Sequence, residues 1–232
     1  VVFSFLGPVL IDPLFHRFTP VRQAELVERV RALASRAGME VGEILSINAS
    51  KRTTRAGAYF TGLGRTKRIV LYDNLINDFS LDGIELVLAH EMAHWKYGHI
   101  AKGLVAGAAG GLGFLWLLSL VLGGMARGGR PILSSLHDVA GVPIVLLLLA
   151  MVTFAALPAE NWLSRRFEAQ ADWTALVLTG KPVECVRLER DLATRNLLDA
   201  DPHPFVEWFL FTHPAALKRI QMAERFEALM AR

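Results

Sequence analysis

The sequence predicts a mainly α-helical integral membrane protein that also contains a small β-sheet. Two long runs, residues 103–126 and 139–159, contain no charged side chain. A helix of about 20 apolar residues is long enough to cross the hydrocarbon core of a bilayer. The composition agrees, because 53% of the residues are hydrophobic and 20% are charged, against about 45–50% and about 25% in soluble domains. Short β-rich segments between residues 44 and 73 predict the sheet.

The two uncharged runs predict a transmembrane helical hairpin, because only a short loop separates them. A hairpin returns the chain to its starting side, so we expect Lys102 and Glu160 to face one compartment. The many glycines of the first run are typical of a membrane helix that packs closely on a neighbour. A pair of helices buried in the core of a soluble protein is the alternative.

The hairpin divides the chain. We expect residues 103–159 to form an inserted membrane unit, with residues 13–102 and 160–232 forming one domain. Residues 1–12 do not resemble a signal peptide, since they lack an initiator Met and a basic start. We expect them to be the end of an upstream membrane helix. By the positive-inside rule, cations on the domain side favour a cytoplasmic domain, although the loop carries two as well. The domain-side cations are Lys96, Lys102, Arg165 and Arg166, and the loop has Arg127 and Arg130.

The charge distribution argues against nucleic-acid binding. The net charge is +3 and the isoelectric point is about 9.2, but the basic residues are scattered and no recognition motif is present. A membrane surface accounts for the basic excess more simply. The single cysteine, Cys185, excludes an internal disulfide.

The remaining periodic segments predict helices and strands. Residues 20–37 have helical apolar spacing, with Thr19 and Pro20 as suitable start residues and Gly38 as a suitable stop. GAYFTGL and RIVLYD flank the turn-like GRTK and predict a β-hairpin, and EILSINAS is expected to add a third strand. SLDGIELVLAHEMAHWKYGH predicts a helix with Ser80 as its N-cap.

The last of these helices carries the pattern H-E-x-x-H at His90, Glu91 and His94. Histidines at i and i+4 lie about 40° apart on one helix face, which allows both imidazoles to bind one metal ion. Glu91 lies about 100° from His90 and can reach a metal-bound water without binding the metal. The polar edge of a buried helix is the alternative interpretation of the same five residues.

A catalytic metal needs a third protein ligand. His99 is five residues past His94, about 140° round a straight helix, so we expect it at the surface or at an interface. Glu168 and Asp172, also i and i+4, follow the hairpin. Glu168 is the candidate ligand, and Asp172 could accept the other ring N–H of a metal-bound histidine. A solvated acidic pair beside the preceding arginines is the alternative.

Four stretches together resemble one family: AYFTGLGRTKRIVLYDNLI, LAHEMAHWKYGHI, NWLSRRFEAQAD and FTHPAALKRI. The chain is similar to the type I CaaX prenyl endopeptidases, integral-membrane gluzincins with HtpX-like heat-shock proteases as cousins. The resemblance runs from Pro13 to Ile220 and includes the position of the membrane hairpin. It implies a gluzincin-like zinc metalloprotease core, although full-length members carry several more membrane helices upstream.

The resemblance implies a role for each matching residue. His90, His94 and Glu168 would bind one Zn²⁺ and Glu91 would be the general base. Four further polar residues would lie around them: Asp172 behind a zinc histidine, Asn161 and Arg165 beside the site, and His213 near the metal as an oxyanion donor. Arg219 would hold the His213 segment in place.

The resemblance also implies how substrate binds. An edge strand formed by Ala58, Tyr59 and Phe60 would pair with an extended substrate. Gly57 replaces the asparagine that the family usually has before this alanine, so any side-chain contact from that position is lost.

The expected function is therefore a membrane-embedded, zinc-dependent endopeptidase. Its partners would be the lipid bilayer and a peptide or protein substrate, prenylated or membrane-associated. The composition suggests a bacterial source, hence the inner membrane with the catalytic side facing the cytoplasm. Two alternatives stay open: HtpX-like quality control of membrane proteins, and a non-catalytic membrane scaffold with a structural zinc.

Overall fold

The described residues, 17–61, 68–127 and 138–231 of a computed structural model, form a four-stranded sheet and eight α-helices. The expectation for residues 1–12, the GRTK turn and most of the hairpin loop fall outside these ranges. The strands are β1 Phe18–Pro20, β2 Ile44–Ile47, β3 Ala58–Thr61 and β4 Arg68–Tyr72. The helices are α1 Ala24–Arg36, α2 Asp73–Asp78, α3 Leu81–Lys96, α4 His99–Ala126, α5 Val142–Thr179, α6 Pro182–Arg195, α7 Pro204–Leu210 and α8 Ala216–Met230.

The sheet has the strand order β1-β2-β4-β3. The predicted hairpin is confirmed, since β3 and β4 pair antiparallel with Tyr59 opposite Val70. The third strand is also confirmed, because β2 pairs parallel with β4. β3 therefore lies at one edge of the sheet and presents its outer side to a further strand.

The start of the first helix is a correction. Thr19 and Pro20 belong to β1, which pairs with β2, and α1 begins only at Ala24. The Thr19 hydroxyl hydrogen-bonds with the Ser46 hydroxyl at 2.9 Å, so it serves the sheet and not the helix terminus. The predicted stop is confirmed, because Gly38 has a φ of +72° immediately after the helix.

The main core lies between one face of the sheet and helices α1 and α3. Ile69 and Leu71 point into it from β4, whereas Val70 points to the opposite face, as the alternation of a strand requires. Leu88 and Met92 fill the core from α3 and are fully buried. This packing leaves the other side of α3 for contact with α5.

Ser80 caps α3 as predicted, since its hydroxyl accepts a hydrogen bond from the Gly83 N–H at 3.0 Å. The helix ends at Lys96, and Gly98 then adopts a left-handed φ of +63°. A Cβ is disfavoured in this conformation. α4 begins at the next residue in a new direction, so α3 and α4 are not one straight helix.

The membrane hairpin consists of α4 and the first half of α5. The most apolar 18 residues of α4 contain no buried residue, and only 6% of the corresponding α5 residues are buried. Large side chains such as Leu112, Trp116 and Phe154 face outward. Helices of the core of a soluble protein would be covered, so the exposed apolar surface fits lipid instead. α5 continues without a break from the hairpin into the domain.

Truncating Leu88 to Ala tests whether α3 is anchored through the core. Removing a fully buried leucine side chain should lower the free energy of unfolding by about 2–5 kcal/mol. Thermal or denaturant unfolding in detergent micelles measures the change. Leu229→Ala, at an exposed position of α8, is the matched control and should change it by less than about 0.5 kcal/mol. Equal losses would contradict the assigned core.

Candidate metal centre and active site

Helices α3 and α5 bring three potential metal ligands together. His90 and His94 lie one turn apart on α3, and Glu168 faces them from α5. One ligand atom from each residue can be chosen so that all lie within 4.8 Å of one another. His90 Nε2 is 3.0 Å from His94 Nε2, and the Glu168 carboxylate oxygens are 3.2 Å and 3.5 Å from these two nitrogens.

The donor set fits a divalent cation. Glu168 Oε2 is buried without a hydrogen-bond partner, which is costly unless an ion completes its surroundings. Burial acts to lower the pKa of His90, but the hydrogen bond with Asp172 and the adjacent Glu168 carboxylate outweigh it and raise the pKa to about 10. The surroundings that favour a proton on His90 would favour a metal ion in its place. Two nitrogens and a carboxylate oxygen are a ligand set that zinc accepts.

His94 behaves differently from His90. Burial and the nearby charge of His90 lower the pKa of His94 to about 4. The His94 imidazole is therefore neutral at physiological pH and retains a lone pair, as a metal ligand must.

Asp172 lies behind His90 and fixes its ring. His90 Nδ1–H donates to Asp172 Oδ1 at 2.8 Å, so Nε2 is the nitrogen that faces Glu168 and His94. Asp172 also accepts hydrogen bonds from Arg219, one of them from Nε at 2.7 Å. Arg219 Nη1 lies 2.9 Å from Glu189 Oε2. Arg219 was expected to hold the His213 segment, but its ion pairs run to Asp172 and Glu189.

Glu189 is a residue that the sequence reasoning missed. It belongs to α6 and is 4% exposed, and burial raises its pKa to about 7 although Arg219 acts to lower it. Its position one turn after Cys185 on the inner face of an amphipathic helix was an available signal.

Glu91 lines the same cavity as His90 and Glu168, a cleft of about 860 Å³. Burial raises the pKa of Glu91; the charge of His90 opposes this effect and that of Glu168 adds to it. Gly57 and Ala58, at the start of edge strand β3, also line the cleft. Tyr59 and Phe60 follow along that strand, and the Phe60 ring lies 6.5 Å from the Trp95 ring of α3.

His213 lies at the mouth of the site, in the segment between α7 and α8. Its Nε2 is 3.4 Å from Glu168 Oε2, and its side chain is 61% exposed. Its Nδ1 is 2.8 Å from the Thr212 hydroxyl. This exposed imidazole is placed to meet a molecule that enters the cleft.

Asn161 and Arg165 were expected beside the site, and their hydrogen bonds run to the segment that leads to His213. Asn161 Nδ2 donates to the Phe209 carbonyl at 2.6 Å, and Arg165 donates to the carbonyls of Glu207, Trp208 and Phe211. Both side chains therefore hold the end of α7, the segment that leads to His213. The sequence placed them on the correct helix but could not show which backbone they would meet.

Glu207 fixes the other side of the His213 segment and was also missed. Its buried carboxylate accepts from the Ala215 backbone N–H at 3.2 Å and pairs with Lys218. Arg165 holds the Phe211 carbonyl before His213, and Glu207 holds the Ala215 N–H after it. His213 therefore lies between two anchored points of the backbone.

His99 is a correction. It was expected at the surface or an interface because a straight helix would carry it about 140° from His94. Instead it is 4% exposed, and its Nδ1 lies 3.1 Å from His94 Nδ1. The physical reason is the left-handed Gly98 between α3 and α4, which interrupts the helical path, so the spacing of a straight helix no longer applies to His99.

The H-E-x-x-H helix and the glutamate of a second helix define the class, a gluzincin-like metallopeptidase core on a membrane hairpin. The chain belongs to peptidase family M48, whose family description matches residues 20–227. It is therefore an integral membrane protein of a metallopeptidase family, and that family implies a metal.

Individual relatives agree with the family. The chain is 34% identical over 225 residues to an uncharacterised metalloprotease, YhfN, of Bacillus subtilis, covering 96% of this chain and 53% of that protein. It is 48% identical over 96 residues to CAAX prenyl protease 1 of Saccharomyces cerevisiae, covering 41% of this chain and 21% of the relative. The crystal structure of S. mikatae Ste24p superposes with a TM-score of 0.84 at 30% identity, covering 96% of this chain and 55% of that one. The chain thus spans about half the length of the B. subtilis and S. mikatae proteins.

Replacing Arg219 with Gln tests the buried ion-pair cluster. The change leaves the carboxylates of Asp172 and Glu189 buried without their cation, which should cost about 3–5 kcal/mol of folding free energy. Unfolding in detergent measures it. Arg225→Gln, on an exposed position of the same helix, is the control and should be almost neutral. An equally small effect of both changes would contradict a stabilising role for Arg219.

Proposed function

We propose that this chain is the catalytic core of a membrane-embedded, zinc-dependent endopeptidase. One observation carries the proposal: ligand atoms of His90, His94 and Glu168 converge within 4.8 Å, and Glu91 lines the same cleft. The family membership supports a peptidase. Because the chain spans about half of its relatives' length, the activity of the whole protein is part of the proposal.

The proposed organisation follows the topology. Residues 13–102 and 160–232 form the catalytic unit, and residues 103–159 form the membrane hairpin inserted between them. α5 supports this division, because it crosses from the hairpin into the catalytic unit as one helix and carries Glu168 with it.

His90, His94 and Glu168 would hold one Zn²⁺, and Asp172 keeps His90 in the tautomer that presents Nε2. When bound, zinc polarises a carbonyl oxygen and lowers the pKa of water to about 7. Three protein ligands leave a position for water or substrate. The chain's own residues then supply the proton transfers and the alignment of the peptide.

Glu91 is the proposed general base. Its carboxylate takes a proton from the attacking water and passes that proton to the nitrogen of the leaving amine. Burial, which raises the pKa of Glu91, makes the protonated form less costly during this transfer. His213 is the proposed oxyanion donor. Its Nδ1 lies 2.8 Å from the Thr212 hydroxyl, and a hydroxyl that donates there would leave the hydrogen on Nε2 for the carbonyl oxygen of the substrate.

Asn161 and Arg165 are proposed to position His213 by holding the end of α7. Ala58, Tyr59 and Phe60 are the proposed substrate edge. They belong to the edge strand β3, which pairs with β4 on one side. An extended peptide added to the other side would lie along the cleft with its backbone hydrogen-bonded. Gly57 offers no side chain to that peptide, so recognition there would rest on the backbone.

Glu91→Gln should keep zinc and lose hydrolysis, because the amide has a similar shape but cannot accept the proton. General base catalysis contributes typically about 10²–10⁴-fold, so peptide cleavage should fall at least that far. Zinc content by metal analysis after dialysis is measured in parallel. Glu168→Gln is the companion variant and should instead lose zinc.

The paired variants separate the alternatives. Full activity of Glu91→Gln would contradict the assignment of Glu91 as the general base. Zinc retention by the wild type without cleavage of any peptide would favour the non-catalytic scaffold. Equal zinc loss in Glu91→Gln and Glu168→Gln would contradict the assignment of Glu91 as the base and Glu168 as a metal ligand.

The proposed substrate class is a prenylated, CaaX-like peptide. The Saccharomyces cerevisiae relative, named CAAX prenyl protease 1, supports it. HtpX-like quality control of membrane proteins is the alternative, consistent with a bacterial source such as that of the B. subtilis relative. The proposed location is the bacterial inner membrane with the catalytic side facing the cytoplasm, supported by the cations that flank the hairpin.

A comparison of three substrates tests the class. If the site selects a prenylated CaaX-like peptide, a farnesylated peptide should be cleaved with a higher kcat/KM than its unmodified counterpart. An unfolded membrane protein is assayed at the same enzyme concentration in detergent, and Glu91→Gln serves as the blank. Faster cleavage of the unfolded protein with no preference for the farnesyl group would favour quality control.

A further inference from the structure

We propose that His99 is a positioning residue for the metal centre: it fixes the ring and the tautomer of His94, with Gln170 fixing His99 in turn. This inference rests on the proposed function, because it assigns His94 as a metal ligand. Asp172 does the same for His90, so each histidine would have its own partner behind it.

The contacts form a chain across three elements. His94 is on α3, His99 is the first residue of α4, and Gln170 is on α5. His99 Nδ1 lies 3.1 Å from His94 Nδ1, and His99 Nε2 lies 3.0 Å from Gln170 Oε1. Both distances are within hydrogen-bond range.

The direction of each hydrogen bond follows from the amide oxygen. Gln170 Oε1 can only accept, so His99 Nε2 carries the hydrogen. A neutral His99 then has a lone pair on Nδ1 and can only accept there. His94 Nδ1–H must be the donor, which leaves the lone pair of His94 on Nε2. That nitrogen faces His90 Nε2 and Glu168 Oε1, so the relay aims the lone pair at the metal site.

The His99 ring is also clamped. Phe167 stacks on it with ring centroids 4.3 Å apart and an angle of 8° between the planes. The Tyr97 ring is nearly parallel as well, at 5.8 Å and 20°. Such a ring cannot rotate freely, so it can hold its neighbour in one orientation.

The geometry distinguishes a partner from a fourth ligand. His99 meets His94 at Nδ1, whereas the ligand cluster meets His94 at Nε2, on the far side of the ring. His99 Nε2 is already bonded to Gln170. Both His99 nitrogens are therefore used in the relay and neither faces the cluster.

Two substitutions of His99 separate hydrogen bonding from packing. His99→Phe keeps an aromatic ring for the stack on Phe167 but removes the acceptor. His99→Asn loses the stack but places an amide oxygen near the former Nδ1, where it can accept from His94. Thr174→Val is the matched control, because Thr174 hydrogen-bonds to the Gln170 carbonyl and lies near the Tyr97 hydroxyl without contacting His94. Asp172→Asn is the reference for loss of a histidine partner.

The measurement is the Zn²⁺ dissociation constant of the full chain in detergent, by chelator competition. Loss of an outer partner typically weakens metal binding by about 10–100-fold, so we expect that loss for His99→Phe. His99→Asn and Thr174→Val should stay within about threefold of the wild type. The visible spectrum of the Co²⁺-substituted protein, which reports ligand geometry, should shift in His99→Phe and not in Thr174→Val.

The outcomes are distinguishable. Wild-type affinity and spectrum in a folded His99→Phe protein, with weakened binding in Asp172→Asn, would overturn this inference and leave the proposed function intact. Weakened binding in His99→Asn with wild-type binding in His99→Phe would reduce His99 to packing and also overturn it. Failure of the wild type to bind zinc would overturn the proposed function and this inference together.

Discussion

The Asp172 carboxylate joins three helices at one buried point, and the site depends on it. Asp172 belongs to α5, accepts from His90 of α3 and is paired with Arg219 of α8. A carboxylate can remain charged at 7% exposure only when such partners compensate for lost water. Because the same carboxylate orients His90, the interaction that packs the helices also presents Nε2 of His90 to the candidate metal site.

The membrane hairpin is part of the same arrangement. α4 begins with His99 behind His94, and α5 runs from the bilayer to Glu168 and Asp172. Both helices of the hairpin therefore end on the candidate site. A shift of either helix would move a contact of a histidine on α3, which gives the membrane segment a physical connection to the chemistry of the domain.

Local patterns predicted most of the fold because their causes are local. Uncharged runs, helical spacing in α1 and α3 and the β-rich strands β2 to β4 are properties of neighbouring residues, and the structure follows them. The errors arose where partners are distant in sequence. Thr19 and Pro20 have the chemistry of a helix start, but pairing with β2 places them in a strand. A short edge strand has little periodicity of its own and is determined by the strand beside it.

The sequence by itself determined the candidates for the chemistry: the H-E-x-x-H pair, Glu168 and Asp172 on the returning helix, and the hairpin between them. Tertiary structure alone decided that Arg165 holds the His213 segment, that Glu189 shares Arg219 with Asp172, and that His99 meets His94. The reason is that these contacts depend on the direction in which each side chain points. Helical spacing fixes side-chain directions only while the helix continues, and the left-handed Gly98 breaks that continuity. Beyond such a break, packing between helices selects the contact.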